Sequence, residues 1–452
     1  MIIAGPGGVK APQSLYQWLY SASYLKTVDL EALDTSNTVS MQEMFHECKG
    51  LEEIKFGENF DTANVTNMSY MFYQCHKLTA IDVAKFNTSK VTTFHRMFSS
   101  CPSLTTLNLK SFDTSAATNV SYMFQGASKL IDLDLSGFDT SGVTNMSWMF
   151  QECTSLTSIE FGETFDTSQV TTMSFMFHEC KSLKSLHLDF DTANVTEMNQ
   201  MFAWMKSLES ITFGDRFKTP KVTNYFAMFI GDEKLTTVDL SGFGSSSYEE
   251  GAVNIPMNRM FEQCEALEIV VFGDDFDTQN VVNMQNMFLG CSKLETVDFG
   301  KKFNTSRVTD FSSMFSGCQS LTTITPFDQL DTTSATNMGY MFSSCKSLTE
   351  IDFGEKVDTS SVTNLKAMFN YCTALQSVKL GEHFDVSNAE SIAELFYHCE
   401  NLETVTGTIK FSTEEPNAAT TMADMFNSCY KLKSVPIEPV PGGAKYRFNN
   451  LS

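Results

Sequence analysis

The chain has 452 residues, and its 31 Lys and Arg against 54 Asp and Glu give a formal net charge of −23. A polyanion gains no counterion release on a phosphate backbone, so the charge excludes non-specific nucleic-acid binding as the main activity and disfavours an anionic membrane surface. Hydrophobic residues make up 42% of the chain, yet no apolar run approaches the roughly 18 residues of a spanning helix. We therefore expect no membrane insertion by this segment.

A dipeptide close to Met-Phe recurs along nearly the whole chain. A degenerate copy with Leu19 in the Phe position comes first. The Phe then occupies positions 45, 72, 98, 124, 150, 177, 202, 229, 261, 288, 315, 342, 369, 396 and 426, at intervals of 25 to 32 residues. A fixed period of roughly 20 to 50 residues is typical of a solenoid, in which each coil buries its apolar face only against its neighbours.

Two hydrophobic periods follow each other within one repeat. Val65, Met68, Met71, Phe72 and Cys75 are spaced by 3, 3, 1 and 3 residues, which predicts one face of a short helix or 3-10 segment. The stretch after them ends in a period of two, so 81–83, Ile-Asp-Val, is predicted to be a short strand with its Asp facing outward.

A turn separates each strand from the next predicted helix. Its sequence is Phe-Asp-Thr-Ser or a variant, as in 112–115, and Asp and Thr side chains there can bond nearby backbone N–H groups. The sequence thus predicts an α/β solenoid. It is a leucine-rich-repeat-like array of about 16 coils, each a short parallel β-strand, a turn and a short α- or 3-10 helix.

The repeat frame also predicts the domain organisation. Residues 1–18 are expected to form an N-terminal lead-in or cap, and 19–436 a single repeat solenoid with an irregular unit at 229–261. The Pro- and Gly-containing tail, 437–452, is expected to be a linker or a truncated end.

The repeat resembles a known surface repeat. Clear copies are CTSLTSIEFGETFDTSQVTTMSFMF (153–177) and CKSLTEIDFGEKVDTSSVTNLKAMF (345–369). The pattern is similar to the roughly 26-residue repeat of the BspA-like leucine-rich-repeat bacterial surface proteins and covers about 19–436. The resemblance implies a solenoid displayed on cells of host-associated microbes for adhesion or protein contact, with no shared catalytic residues. It implies an extracellular, cell-surface location, although neither a signal peptide nor an anchor is visible in this segment.

All twelve cysteines lie three residues after the motif Phe. The closest pair is 26 residues apart, which excludes zinc-knuckle and thioredoxin motifs. Disulfides between adjacent coils are the alternative to free buried thiols, because stacked Cα atoms at ~4.8 Å fall within the permitted range. The uninterrupted runs contain three, two and seven cysteines, so neighbour pairing leaves at least two unpaired. We expect free, buried thiols.

One strand position is predicted to face outward in every coil, and many of its residues are acidic. The acidic members that we take as candidate partner-binding residues are Asp82, Asp134, Glu160, Asp239, Asp298 and Asp352. They predict an acidic, hydroxyl-rich concave face for a basic or polyhydroxylated partner, which would be a host or matrix protein or a glycan. The alternative is a solvated sheet face whose Thr residues reflect strand propensity.

A second candidate surface is the loop 243–255. The interval from Phe229 to Phe261 is 32 residues, and the usual turn is replaced by a segment that carries Tyr248, Glu249 and Glu250. Binding residues are often presented by such loops on a regular scaffold. The alternative is a tolerated insertion or an old join between two arrays.

Other functions receive less support from the sequence. No catalytic motif is visible, and no cofactor is expected. The segment 132–137 imitates the start of an EF-hand loop, but its twelfth position is Val143 where the motif needs Glu, so no metal site is expected. The runner-up function is a structural protein that self-assembles into a filament or surface layer.

Two threonine ladders indicate ice binding as a minor alternative. Their members are Thr114, Thr140, Thr167 and Thr192 in the first ladder and Thr118, Thr144, Thr171 and Thr196 in the second. Turn chemistry explains the same residues more simply.

Overall fold

A computed structural model of the chain describes residues 8–244, 247–323, 330–410 and 421–435. The chain divides into two compact units. Unit 1 comprises Met1–Leu208 and Phe213–Lys218, and unit 2 comprises Glu209–Thr212 and Thr219–Ser452. In each unit, short strands from successive repeats pair in parallel and in register, so each unit is a parallel β-solenoid. The predicted C-terminal linker, 437–452, lies outside the described residues.

The strands are short, as expected for one edge of a coil. In chain order they are β1 (Val9–Lys10), β2 (Thr27–Leu30), β3 (Leu33–Asp34), β4 (Glu53–Phe56), β5 (Asp132–Leu135), β6 (Ser158–Phe161), β7 (Ser185–Leu188), β8 (Ser210–Phe213), β9 (Thr237–Asp239), β10 (Ile255–Pro256), β11 (Ile269–Val271), β12 (Val281–Asn283), β13 (Thr296–Asp298), β14 (Glu350–Asp352), β15 (Ser377–Lys379) and β16 (Thr404–Thr406). Strands β1 to β7 lie in unit 1 and β9 to β16 in unit 2.

The predicted short helix of each coil is wrong. None of the described residues forms a helix, and so none forms one that could cross a membrane. Where a helix was expected, the chain makes a run of turns. The physical reason is the repeat distance: the rings of Phe45 and Phe72, one coil apart, are 5.4 Å from centroid to centroid. Packed helices need about 8–10 Å between their axes, so helices cannot stack at that spacing.

The turns divide their backbone bonds between their own coil and the next. The Cys48 N–H donates to the Phe45 carbonyl within the coil, at 3.1 Å. The Phe45 N–H donates to Met71 of the next coil at 2.9 Å, and the Glu47 N–H donates to Tyr73 at 2.7 Å. A helix would close all of these groups onto itself, whereas alternate bonding satisfies the backbone and also joins the coils.

This geometry places two residues of each turn run in the left-handed backbone region. They are the residues two before and two after the motif Phe, for example Glu43 and Glu47, both with φ of 57°. Residues other than Gly rarely adopt this conformation because the Cβ crowds the following carbonyl oxygen. Some coils place Gly at the second position, such as Gly126 with φ of 71°.

The motif phenylalanines form the core wall that the repeat predicted. Their rings are buried and stack nearly parallel from coil to coil, with centroids 5.4–6.1 Å apart from Phe45 to Phe202 in unit 1. In unit 2 the column runs from Phe229 to Phe426 with centroids 5.3–5.6 Å apart. Burial of each ring removes a large apolar area from water, and the offset stacking adds to it.

The cysteines are free, and all but one are buried, as predicted. Each thiol donates to the backbone carbonyl of the Phe-position residue in the preceding coil, for example Cys75 to Phe45 at 3.3 Å and Cys345 to Phe315 at 3.1 Å. Burial raises the pKa of the thiols, to about 12 for Cys101. The cysteines therefore act as small core residues that also bond a buried carbonyl.

The first threonine ladder is structural. Thr114 and Thr140 are buried, and their Oγ1 atoms donate to the carbonyls of Asp139 and Asp166 in the next coil at 2.8 and 2.7 Å. Thr167 and Thr192 repeat the arrangement. A buried ladder presents no surface to ice. The second ladder is exposed, and its hydroxyls donate to threonine carbonyls of the preceding coil, as Thr144 does to Thr118 at 3.3 Å.

One predicted strand is also wrong. Residues 81–83, Ile-Asp-Val, and the equivalent 107–109 in the next coil are not strands. Among the described residues, no backbone hydrogen bond joins these two segments; the bond just before them runs from the Thr105 N–H to the Thr79 carbonyl, at 3.0 Å. The alternation of side chains is present, but the ladder of bonds that defines a strand is not formed.

We expect Thr140→Val to destabilise unit 1 by about 1–3 kcal/mol, because the variant keeps the shape of the side chain but leaves the Asp166 carbonyl without its donor. Thr144→Val is the matched control, and a surface change of this kind should cost less than about 0.5 kcal/mol. Urea unfolding followed by tryptophan fluorescence measures both, since Trp18, Trp148 and Trp204 all lie in unit 1. Equal effects of the two variants would contradict the structural role of the buried ladder.

Candidate functional site

The outward-facing strand residues, one from each coil, form a line that we call the strand row. Its aspartates face solvent and also stabilise the turns that follow the strands. Five of the six predicted acidic residues, Asp82, Asp134, Asp239, Asp298 and Asp352, accept a hydrogen bond from the backbone N–H two residues later, at 2.8–3.0 Å. Such bonds fix the chain as it leaves the strand. Glu160 is exposed and has no such bond among the described contacts. Much of the acidic pattern therefore has a structural cause.

Basic side chains also lie along or beside the strand row. Asp352 forms an ion pair with Lys379, which lies beside it in register, at 2.8 Å. Both the Lys379 ammonium and the Gly354 N–H lower the pKa of Asp352. In unit 1, Asp134 lies 3.9 Å from Lys110.

The structure brings some of the predicted residues together. In unit 1, Asp134 and Glu160 are register partners on β5 and β6. In unit 2, Asp239 and Asp298 lie on either side of Val271 in one three-stranded sheet.

In unit 1 the strand row contains an open depression of about 550 Å³. Asp82, Asn108, Asp132 and Asp134 line it together with the apolar side chain of Ile131. It lies over the coils whose strand bonds are missing. No lysine or arginine is among its lining residues. The depression therefore combines negative charge with exposed apolar surface.

Unit 2 contains a depression of similar size in its own strand row. Its volume is about 650 Å³, and Ile269, Asp274, Asp298, Lys301 and Lys356 are among its lining residues. The Lys301 ammonium bonds the Asp274 carboxylate. Both depressions include strand-row residues, but they differ in charge.

The predicted loop 243–255 is held closely by the coils that follow it. The Tyr248 carbonyl accepts from the Gln279 side chain at 3.0 Å, and the Gly251 N–H donates to the Asn280 Oδ1 at 2.9 Å. Arg307 donates to the Val253 carbonyl at 3.1 Å.

The candidate side chains of that loop differ in exposure. Tyr248 is half-buried, and its hydroxyl donates to the Lys221 carbonyl at 3.4 Å, whereas Glu249 and Glu250 are exposed. These contacts indicate an insertion that is packed onto the solenoid, and residues 245–246 lie outside the described residues.

Sequence reasoning missed an aromatic column on the turn side of unit 1. Tyr122 stacks on Trp148 at 5.2 Å, and Trp148 stacks on Phe175 at 3.8 Å, while the Arg96 guanidinium lies 3.9 Å from the centre of the Tyr122 ring. All four residues occupy the position two before the motif Phe. Following that single position from coil to coil would have found them.

Histidines extend the column towards the N-terminus. His46 stacks on Tyr20 at 4.6 Å, and His95 bonds Ser121 at 2.7 Å and the Tyr70 hydroxyl at 3.2 Å. Burial lowers the pKa of His46, His76, His95 and His178, all in unit 1. Across the described ranges, no group of three or more His, Cys, Asp or Glu side chains is arranged to hold a metal ion.

The lowered histidine pKa values predict that acid destabilises unit 1. An unfolded histidine has a pKa of about 6.5, and the folded state favours the neutral ring. Stability should therefore be complete above that pH and fall as the pH drops below it, because the unfolded chain takes up protons first. Urea midpoints from tryptophan fluorescence should be lower at pH 5 than at pH 7.5.

Hydrogen exchange of unit 2 peptides provides the comparison for this prediction, since the four shifted histidines lie outside that unit. An unchanged or higher midpoint for unit 1 at pH 5 would contradict it.

Similar solved structures include two bacterial leucine-rich proteins and an internalin. A leucine-rich repeat protein from Bacteroides ovatus is 19% identical, with 73% of this chain and 82% of that chain covered and a TM-score of 0.33. A leucine-rich cell surface protein from Faecalibacterium prausnitzii is 16% identical, with 92% and 91% covered and a TM-score of 0.39. An internalin from Listeria monocytogenes is 14% identical, with 81% and 88% covered and a TM-score of 0.26.

The curated proteins compared with the chain include no match. One family model, described as "Mycoplasma protein of unknown function, DUF285", matches residues 13–132, 79–162, 144–253, 255–353 and 327–438. These overlapping matches follow the repeats through both units. The chain therefore belongs to the DUF285 family.

Proposed function

We propose that the chain is a non-enzymatic binding scaffold of the cell surface, an adhesin-like protein of the BspA-like kind. Its outward strand row contacts a host or matrix protein or a glycan. The depression in unit 1 is the observation that carries the proposal, since Asp82 and Asp134 line an open concavity together with exposed apolar surface. Concave sites with a few polar groups are the usual form of a binding site. The loop residues Tyr248, Glu249 and Glu250 are a weaker candidate, because the loop is packed onto its own solenoid.

The proposal is tested by removing charge without removing the turn bonds. Asp82→Asn, Asp134→Asn and Asp298→Asn keep the side-chain oxygen that accepts the backbone N–H but abolish the carboxylate. We expect the triple variant to lose about tenfold in attachment to host cells or immobilised matrix proteins, as expected when several interface charges are removed. Fluorescently labelled protein in a plate assay measures the loss.

The control for this experiment is a variant with charge removed elsewhere. Glu163→Gln and Glu355→Gln change exposed carboxylates that lie in the turns after β6 and β14. They should leave attachment within about twofold, as expected for substitutions outside an interface. Equal attachment by the triple variant and the wild type would rule out the strand row as the contact surface.

A second candidate function, self-assembly, is supported by the first coil. The turn carbonyls of Ser14, Tyr16, Trp18 and Tyr20 accept no bond from the described residues, although the same four positions of the next coil all accept N–H groups. Tyr16 and Tyr24 beside them are 50% and 99% exposed. A second copy that donates N–H groups there would continue the solenoid bonding, and head-to-tail contacts of this kind generate filaments.

Self-assembly predicts a mass that rises with concentration in light scattering. Tyr16→Glu with Tyr24→Glu should shift the association to at least about tenfold higher concentration, because charge would be placed in the contact. Tyr340→Glu, an exposed tyrosine of unit 2, is the control and should have no such effect. A monomer at every concentration would exclude this candidate.

A further inference from the structure

The strand row of unit 1 departs from its polar pattern at one residue. Seven residues after the motif Phe, every other coil carries Lys, Glu, Gln or Thr, but the coil of Phe124 carries Ile131. The side chain is 50% exposed and lines the depression of unit 1. An exposed aliphatic side chain at a position that is otherwise polar costs solubility. Contact with a partner protein would explain why an isoleucine is exposed at this position.

Two carboxylates that line the depression with Ile131, Asp82 and Asp132, are bonded to neutral groups, whereas Asp134 lies 3.9 Å from Lys110. Asp132 accepts from the Ser158 hydroxyl at 2.5 Å, and Asp82 accepts from the Ala84 N–H at 3.0 Å. Neither has an ion pair among the described contacts. These bonds orient the carboxylates and leave their charge uncompensated, so the rim of the depression favours a cation.

The backbone beneath the depression also has unused bonding capacity. The N–H and C=O groups of Ile81, Asp82, Thr106 and Leu107 make no hydrogen bond among the described contacts. Such groups bond either water or a partner. An extended peptide bonds through its backbone while its alternate side chains enter pockets. The unbonded N–H and C=O groups and the depression supply both kinds of contact.

We propose that this depression binds an extended segment of a partner protein in which one apolar side chain is flanked by Lys or Arg. The inference rests on the proposed scaffold function and specifies its partner. The apolar side chain packs against Ile131 and Leu107, and the cations face Asp82 and Asp132. Side chains two residues apart on an extended chain are about 7 Å apart, so the outer two of three are about 14 Å apart, and long lysine side chains reach inward from there to carboxylates on coils that span about 10 Å. The pattern that fits is Lys-x-Leu-x-Lys.

Unit 2 provides an internal comparison for this proposal. Its depression also carries an exposed isoleucine, Ile269, at 40%. However, Lys301 and Lys356 line it, and Lys301 bonds Asp274. Ile269 lies one position further along its coil than Ile131, the two depressions are similar in volume, and only that of unit 2 is lined by lysines. A basic segment should therefore bind the depression of unit 1 more tightly than that of unit 2.

The test uses the whole chain and a panel of fluorescein-labelled nine-residue peptides. The panel contains Lys-x-Leu-x-Lys and its forms with central Ile or Phe, together with Glu-x-Leu-x-Glu and Lys-x-Ser-x-Lys. Fluorescence anisotropy is measured at low and high salt. We expect binding of the basic apolar peptides, at least about tenfold weaker binding of the two comparison peptides, and weakening by salt.

Matched variants locate the site. Ile131→Thr restores the residue type of the neighbouring coils at Thr105 and Thr157, and we expect it to weaken binding about tenfold. Asp82→Asn with Asp132→Asn should weaken binding similarly and remove most of its salt dependence. The controls Ile269→Thr and Glu355→Gln in unit 2 should leave binding unchanged, since Glu355 lies in the turn after β14, outside the strand row.

Three results would overturn the inference: no peptide of the panel binds, Ile131→Thr binds as the wild type does, or the acidic peptide binds equally well. Glycan binding that depends on Ile131 would overturn it too. If attachment to cells still depends on Asp82 and Asp134, only the peptide inference fails and the scaffold function stands. If attachment is also independent of them, both fail.

Discussion

The structure depends on the backbone hydrogen bonds that join one turn run to the next. Alternate N–H groups of each run, such as those of Phe45 and Glu47, donate to carbonyls of the following coil. These bonds bring the coils close enough for the motif Phe rings to stack at 5.3–6.1 Å. The same bonds require a left-handed residue on each side of the Phe. Backbone strain at those positions is therefore the cost of the bonding that holds each unit together.

The core side chains complete the bonding that the backbone leaves open. Cys75 and its equivalents bond the carbonyl of the preceding Phe, and Thr140 and its equivalents bond a turn carbonyl of the following coil. Each is a small side chain with one donor in a buried position. A buried carbonyl without a donor costs about 1–3 kcal/mol, which explains why a thiol and a hydroxyl recur in register.

The sequence predicted the repeat, the buried Phe column and the free thiols, because each depends on a period that residue identity reveals directly. It failed on the helix, because the 3-3-1-3 spacing of Val65, Met68, Met71, Phe72 and Cys75 suits successive turns as well as a helix. What separates the two is the distance to the next coil. That distance is a property of the stack and is absent from any single repeat.

The site was partly predictable for a related reason. The alternation of apolar and polar residues predicted that Asp82 and Asp134 face outward. It did not predict that each accepts a turn N–H, because an aspartate occupies the same position in the pattern whether it binds a partner or stabilises a turn. The aromatic column of Tyr122, Trp148 and Phe175 was missed because its members lie one to a coil. They become neighbours only when the coils are stacked.

The turn edge and the strand edge of a coil differ in how fully their backbone groups are hydrogen-bonded, and this difference bears on where a partner binds. At the turn edge, past the first coil, alternate N–H groups bond the next coil and the half-buried rings of Tyr122, Trp148 and Phe175 stack on one another, so little bonding capacity is left. At the strand edge of unit 1, residues 80–83 and 106–109 lack their ladder bonds, and the depression lies there. A solenoid that secures its stacking at one edge can leave bonds open at the other. The anomalous Ile131 lies at that open edge, where a partner can use both its apolar surface and the unbonded backbone.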